Sequence, residues 1–404
     1  MRLGGGAIPT SNRFNHQNYP TTPAVPPVFQ KLTAIPGQSE QCPELHASLG
    51  IRRVYVVHGT FLGNDPLGLS EVLREIGRSI PLAASAANSI ATAIEERTRA
   101  IAGSLPSELG NYSADFRDLF QSLTGPDPVV ELMTWSSQNH HVARADLAVR
   151  LAAELLRRNF DNEERVLLWG HSHAGNAFAL LTNLLANQKD AVARFFDASR
   201  GQMDAHWLEV RNLLAASPTP HPIAKNILIA AFGTPVRYGW DLSGCRELVH
   251  VLHHREYPPD APTLTQPLYP PHKFLDVLNA RYGDWVQAFA IAGTDVSTPV
   301  VSGTNEALDQ LLTEGLVSPE LTVELKFIGS NRIQKLCGWW KTGTRCHQDG
   351  INVLVEYEPS GRLTALGKPI ELSLLGHGVA TSLHWLPAHL KLVTDQFLKT
   401  ITRI

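Results

Sequence analysis

Continuous apolar runs alternate along this chain with longer amphipathic stretches, and that alternation limits the fold more than any other feature. Val54-Tyr55-Val56-Val57 and Val166-Leu167-Leu168-Trp169 are apolar at every position. A strand with one face in water would alternate polar and apolar residues, so unbroken runs predict strands covered on both faces. Leu147, Ala148, Leu151, Ala152, Leu155 and Leu156 recur at the three-and-four spacing that lines one face of a helix. Ala177, Leu180, Leu181, Leu184 and Leu185 do the same over 174–187. The expected architecture is therefore α/β: a mostly parallel central sheet with helices on both faces, plus insertions. Further strands are expected over 129–135, 226–232, 286–292, 321–328 and 351–357. A last helix over 387–401 would turn Leu390, Val393, Phe397 and Ile401 inward.

Residues 1–50 are rich in Pro, Asn, Gln and Thr and read as an extended N-terminal arm. Residues 51–404 then form one α/β domain, with excursions at about 70–125, helical in tone, and 237–284, rich in Pro and His. The 35 Lys and Arg against 38 Asp and Glu leave a net charge of -3, which gives no electrostatic reason to expect nucleic acid or an anionic membrane as partner. Residues 1–9 lack the apolar centre of a secretion signal, and the Ala-rich stretch 80–94 is too short and too polar to span a bilayer. A cytoplasmic, soluble protein is expected. Four cysteines are too few for a disulfide scaffold; Cys337 and Cys346 could pair, but reduced thiols suit that compartment better.

The chemical signal is Trp169-Gly170-His171-Ser172-His173-Ala174-Gly175 between an apolar strand and a helix. A sharp strand-to-helix turn forces its central residue into a strained backbone geometry and crowds the neighbours two positions away, which must be small. It presents the serine hydroxyl at the carboxyl edge of the sheet, above a helix N-terminus. Ala174 stands where such a turn more often carries Gly, and is small enough. A second turn, His58-Gly59-Thr60-Phe61, ends the first apolar run. Backbone N–H groups of Thr60 or Phe61, together with that of His173, would form an oxyanion hole. The competing reading of His58-Gly59 is an ordinary strand-end turn.

A serine needs a general base, and His377, between Gly376 and Gly378 after the last apolar strand, is the candidate. His384 and His389 are expected at the surface or capping the final helix. The acid orienting the base should fall between serine and histidine in the chain. Asp295, after the apolar run at 286–292, fits that place. Asp349 precedes a strand and so lies at the wrong edge, whereas Glu356 and Glu358 remain possible.

The elbow at Ser172, the His58-Gly59 turn and the order Ser172, Asp295, His377 resemble the α/β-hydrolase fold of esterases and lipases. The resemblance covers about residues 52–400 in element order. It implies acylation of Ser172, His377 acting as base and then acid, Asp295 orienting it, and water releasing the product. His58, Gly59 and His171 would border a small-molecule or lipid ester. No metal or cofactor is needed. Two other classes stay open: a binding module keeping this fold without turnover, and a metal-dependent hydrolase built on His250, His253 and His254. The turn Gly233-Thr234-Pro235 reads equally as pocket wall or plain turn. Residues 136–144 read as the anchor of a helix start. Trp339-Trp340 fit either an exposed lid or a packed pair.

Overall fold

A computed structural model describes residues 14, 25–34, 48–60, 110–158, 164–202, 204–255, 274–290, 297, 301–313, 345–364 and 367–401. Within them the chain forms a seven-stranded, all-parallel sheet. Its strands are β1 (Val28–Leu32), β2 (Ile51–Val57), β3 (Val129–Met133), β4 (Arg165–His171), β5 (Ile227–Phe232), β6 (Glu247–His253) and β7 (Ile351–Tyr357), in the spatial order β1-β7-β6-β5-β4-β2-β3. The helices are α1 (Ala114–Thr124), α2 (His141–Leu156), α3 (His173–Ala186), α4 (Lys189–Ala198), α5 (Ala205–Ala216), α6 (Phe274–Leu278), α7 (Trp285–Ala290), α8 (Ser302–Thr313) and α9 (Leu386–Ile401).

Each central strand divides its side chains between two cores, as the period of two requires. Val166 and Leu168 of β4 with Ile227, Ile229 and Ala231 of β5 join the core beneath α2 and α3. Leu167 and Trp169 with Leu228, Ala230 and Phe232 join the core beneath α1 and α9. Both faces are dry, which is why these strands are written as unbroken apolar runs. Helix α3 is buried along its whole length. A helix enclosed on every side needs residues that are apolar, small or internally hydrogen-bonded, and His173–Ala186 is mostly apolar or small, with Asn183 Nδ2 donating to Ala179 O and Gly239 O at 2.8 Å each. Around it side chains cap helix starts: Ser113 Oγ accepts from Phe116 N–H at 3.2 Å for α1, and His140 Nδ1 accepts from Ala143 N–H at 3.1 Å for the buried start of α2. The 136–144 segment thus does anchor a helix start.

Three expectations change. The arm contributes β1, which pairs with β7 in register from Val28 with Val353 to Leu32 with Tyr357. The interval 237–284 contains β6, an integral strand between β5 and β7, so it is not wholly an insertion. Within the run expected as a strand over 286–292, residues 286–290 belong to helix α7 instead, and 291–292 lie outside the described residues. Asp284 Oδ1 accepts from Gln287 N–H at 2.8 Å and starts that helix; a short apolar run carries no periodicity able to tell the two states apart. The strand expected at 321–328, Cys337 and Trp339-Trp340 lie outside the described residues, as does most of 70–125. Among the described residues no helix is long and apolar enough to cross a membrane.

Candidate active site

Strands β2, β4, β5 and β6 end side by side, and His58, His171, Ser172, His173 and His377 gather at those carboxyl ends. Ser172 stands at the β4-to-α3 turn with φ 57° and ψ −129°. A non-glycine residue there is strained, and it is held because Ser172 N–H donates to Phe232 O at 2.8 Å while Gly175 N–H closes on Ser172 O at 3.0 Å. The small neighbours have concrete reasons: a side chain at Gly170 would overlap the Phe178 ring, and one at Gly175 would overlap Thr234. Gly59, at the end of β2, passes so close that an added Cβ would lie 2.6 Å from Ser172 Cβ. The His58-Gly59 turn is therefore packed directly against the serine. Thr60 is half-buried beside it, whereas Phe61 lies outside the described residues.

His377 reaches the same place from the segment following β7. Its Nδ1–H donates to Asp284 Oδ2 at 2.6 Å, with both side chains buried. A carboxylate only accepts, so this bond fixes the proton on Nδ1 and leaves the lone pair on Nε2. Nε2 is buried and makes no hydrogen bond within the protein, so Ser172 Oγ and His377 Nε2 are not bonded to each other. The pair stands against the end of β5. Gly233, which follows Phe232 and has φ 54°, would place a Cβ 2.9 Å from Asp284 Oδ2 and 3.1 Å from the His377 ring.

The carboxylate on His377 is thus not the one expected. Asp295 lies outside the described residues, and Asp284, earlier in the same connection, occupies the position. Asp284 does two jobs, since its other oxygen caps α7. Gln287 braces the arrangement by donating through Nε2 to Thr234 O and Arg345 O, each at 3.0 Å. The missed signal was Asp284-Trp285-Val286-Gln287, the pattern of a capping residue followed three places later by Gln. Glu356 and Glu358 lie elsewhere: Glu356 faces Lys31 at 3.7 Å, and Glu358 accepts from Thr33 Oγ1 at 2.7 Å.

Four more histidines surround the site. His171 is buried; its Nε2–H donates to His377 O at 3.2 Å, and the two rings are 4.2 Å apart. Burial, and then the charge that His377 can carry, hold His171 well below the usual imidazole range. His58 donates through Nδ1 to Gly59 O at 2.9 Å, its carbonyl accepts from Trp135 Nε1 at 2.9 Å, and burial lowers its pKa. His173 begins α3, with Asn176 Nδ2 donating to its Nδ1 at 3.1 Å. His253 donates through Nδ1 to Gly376 O at 2.7 Å and is pushed down to about 4 by burial. His389, expected at the surface or as a cap, is buried with its Nε2 2.8 Å from Tyr357 Oη.

The histidines of β6 do not assemble as metal ligands. His250 and His253 are three apart on a strand and so point to opposite faces. His250 Nε2–H donates to Asp349 O at 3.1 Å, and its ring stacks on His347 at 3.8 Å. Among the described residues only Asp146, Asp204 and His206 bring three ligand atoms within 4.8 Å of one another. There Asp146 already accepts from His206 Nε2 at 2.9 Å, Trp207 Nε1 at 3.0 Å and Arg150 Nε at 2.7 Å, which leaves it little capacity for an ion. A cavity of about 400 Å³ beside that group, lined by Tyr55, Glu131, Arg150, Glu154 and His206, includes none of the residues around Ser172.

No protein-family model, curated protein or solved structure matches the chain.

Proposed function

We propose that the protein is a serine hydrolase of the α/β-hydrolase type that cleaves carboxylic esters through an acyl-enzyme on Ser172. The observation that carries this reading is the buried His377–Asp284 pair at 2.6 Å, which leaves the Nε2 lone pair free at the strand ends where Ser172 is held at φ 57°. Neither feature is needed to hold a helix against a sheet. Each puts strain or a buried charge where an ordinary turn would relax both.

In the proposed reaction His377 Nε2 takes the proton from Ser172 Oγ as that oxygen attacks the ester carbonyl. The bond from Oγ to carbon forms, and the carbonyl π pair moves onto oxygen. The backbone N–H of His173 and that of Thr60 are the proposed donors to this oxyanion, reinforced by the positive end of α3. Asp284 stabilises the imidazolium and keeps its orientation. The tetrahedral species collapses, the alcohol leaves with the proton from Nε2, and Ser172 retains the acyl group. Water, losing a proton to the same nitrogen, then reverses the sequence and releases the acid. Ser172 Oγ and His377 Nε2, unbonded at rest, must come into hydrogen-bond reach for the first step, as catalytic hydrogen bonds commonly do when substrate arrives.

The test is covalent labelling of the purified protein by a fluorophosphonate probe, with Ser172→Ala as control and peptide mass analysis to locate the adduct. Stoichiometric labelling at Ser172, absent from the variant, is expected. A folded protein that resists the probe and turns over no ester in a panel of graded chain length would overturn the proposal and leave a binding module on this fold.

A further inference from the structure

Two imidazoles unused in that reaction are directed at the backbone of the segment bearing the base. Leu374, Leu375 and Gly376, the three residues before His377, have φ values of 48°, 58° and 90°. Glycine accepts such a conformation freely, but for the two leucines it costs about 1–2 kcal/mol each. A run of this kind persists only when its surroundings impose it. Inside the segment His377 N–H closes on Leu374 O at 3.1 Å. The hold from outside comes from two strands. From the end of β4, His171 Nε2–H donates to His377 O; from the end of β6, His253 Nδ1–H donates to Gly376 O.

We propose that His171 and His253 are positioning residues for the base, clamping two consecutive carbonyls so that the left-handed turn aims His377 Nε2 at Ser172. The proposal rests on reading Ser172 and His377 as nucleophile and base. Both acceptors are carbonyl oxygens, so each ring must donate, which fixes the tautomer of both histidines. The clamp grips main chain rather than the reacting ring, so His377 keeps its Nε2 lone pair. It also spans the sheet: β4 delivers the nucleophile, β6 leads into the acid, and each contributes one donor to the base. His171 brings a second contact through its ring, packed 4.2 Å from that of His377.

Neutral rings suit this task. His377 becomes a cation during the reaction, and a second cation stacked on it would oppose that step. Among the described residues, His171 is faced by His377, His58 and, edge to face, the Tyr112 ring; His253 is faced by Asp284, Arg255, Arg345 and, edge to face, the Tyr357 ring, with His254 beside it in the chain. Burial is the leading influence on both rings and outweighs the carboxylate near His253.

The experiment pairs donor-deleting with donor-keeping variants. His171→Phe and His253→Leu preserve bulk and remove the N–H; His171→Gln and His253→Asn place an amide N–H near the lost donor. Two readouts are taken on the full chain. The first is the kcat and KM for a short p-nitrophenyl ester from about pH 5 to 9. The second, independent of turnover, is the low-field proton resonance of His377 Nδ1–H in histidine-labelled protein. Donor deletion should lower kcat about tenfold to a hundredfold, the scale of a 1 Å misplacement, with KM changed little. It should also broaden the Nδ1–H resonance, and the amide variants should recover both. Donor-deleted variants with wild-type kcat, pH profile and resonance would overturn the clamp, as would amide variants no better than the deletions. If the resonance follows this pattern while the wild type turns over no ester, the hydrolase reading fails and the clamp stands.

Discussion

Replacing Asp284 by Asn removes a charge without changing shape, and the structure sets the size of the effect. In the wild type the carboxylate receives His377 Nδ1–H at 2.6 Å from a buried position. In the proposed reaction His377 takes the serine proton, and the cation so formed has its charge centred about 4 Å from that of the carboxylate. At the effective dielectric suited to such sites, the attraction is about 4 kcal/mol. Each 1.36 kcal/mol is about a tenfold change in rate, so charge removal alone should cost about 10³ in kcat. The asparagine amide can also donate toward Nδ1, favouring the tautomer with its proton on Nε2, where it blocks the base. The combined loss should approach about 10⁴, as in other triads with the same change. The variant's Oδ1 can still accept from Gln287 N–H and start α7, so folding should survive. The assay is pre-steady-state ester hydrolysis with Asp295→Asn in parallel and thermal unfolding as the control. Asp284→Asn retaining activity within tenfold of wild type while Asp295→Asn loses it would refute the assignment.

Two further outcomes can be stated. Gly233→Ala should slow labelling of Ser172 about tenfold to a hundredfold, because the added Cβ would lie 2.9 Å from Asp284 Oδ2 and 3.1 Å from the His377 ring; about 1–2 kcal/mol of stability should go with it, since φ is 54° there. Acid should destabilise the fold between pH 6.5 and about 4. His253 and His254 are pushed down to about 4 and His389 to about 3 by burial, so the unfolded chain binds protons that the native state refuses. Each such group removes up to about 1.4 kcal/mol per pH unit across that window. Asp349, raised to about 6 by burial, works in the opposite direction and offsets one of them. A urea midpoint that stays flat from pH 7 to 5 would show these rings to be hydrated.

The parts of the site legible in the sequence are those whose causes are local. Gly170 is small because the Phe178 ring of the following helix lies against it, a cause written within a few positions, whereas Gly175 also makes room for Thr234 beyond β5. His377 is legible because glycines flank it in the turn-rich segment that follows the last strand. The acid is not, because Asp284 declares itself only as a helix cap, and the apolar residues after it fit a buried strand equally well. The Gly233 turn reads equally as pocket wall or plain turn in the sequence; its reason is the His377–Asp284 pair brought against it from two distant segments. The parallel sheet followed from unbroken apolar runs, but β1 did not, since Val28–Leu32 sits in a Pro-rich stretch and owes its conformation to β7.

That last pairing has a consequence for how the chain is made. Val28 finds its ladder partner at Val353, so this edge of the sheet cannot close until Val353 has left the ribosome, long after Val28. At common rates of elongation that interval is on the order of tens of seconds. Throughout it Phe29 and its neighbours have no native strand to join, while β2, β3, β4 and β5 are already available to one another. β1 must stay unpaired during synthesis, and Pro26 and Pro27 directly before it have no N–H to give to a sheet ladder.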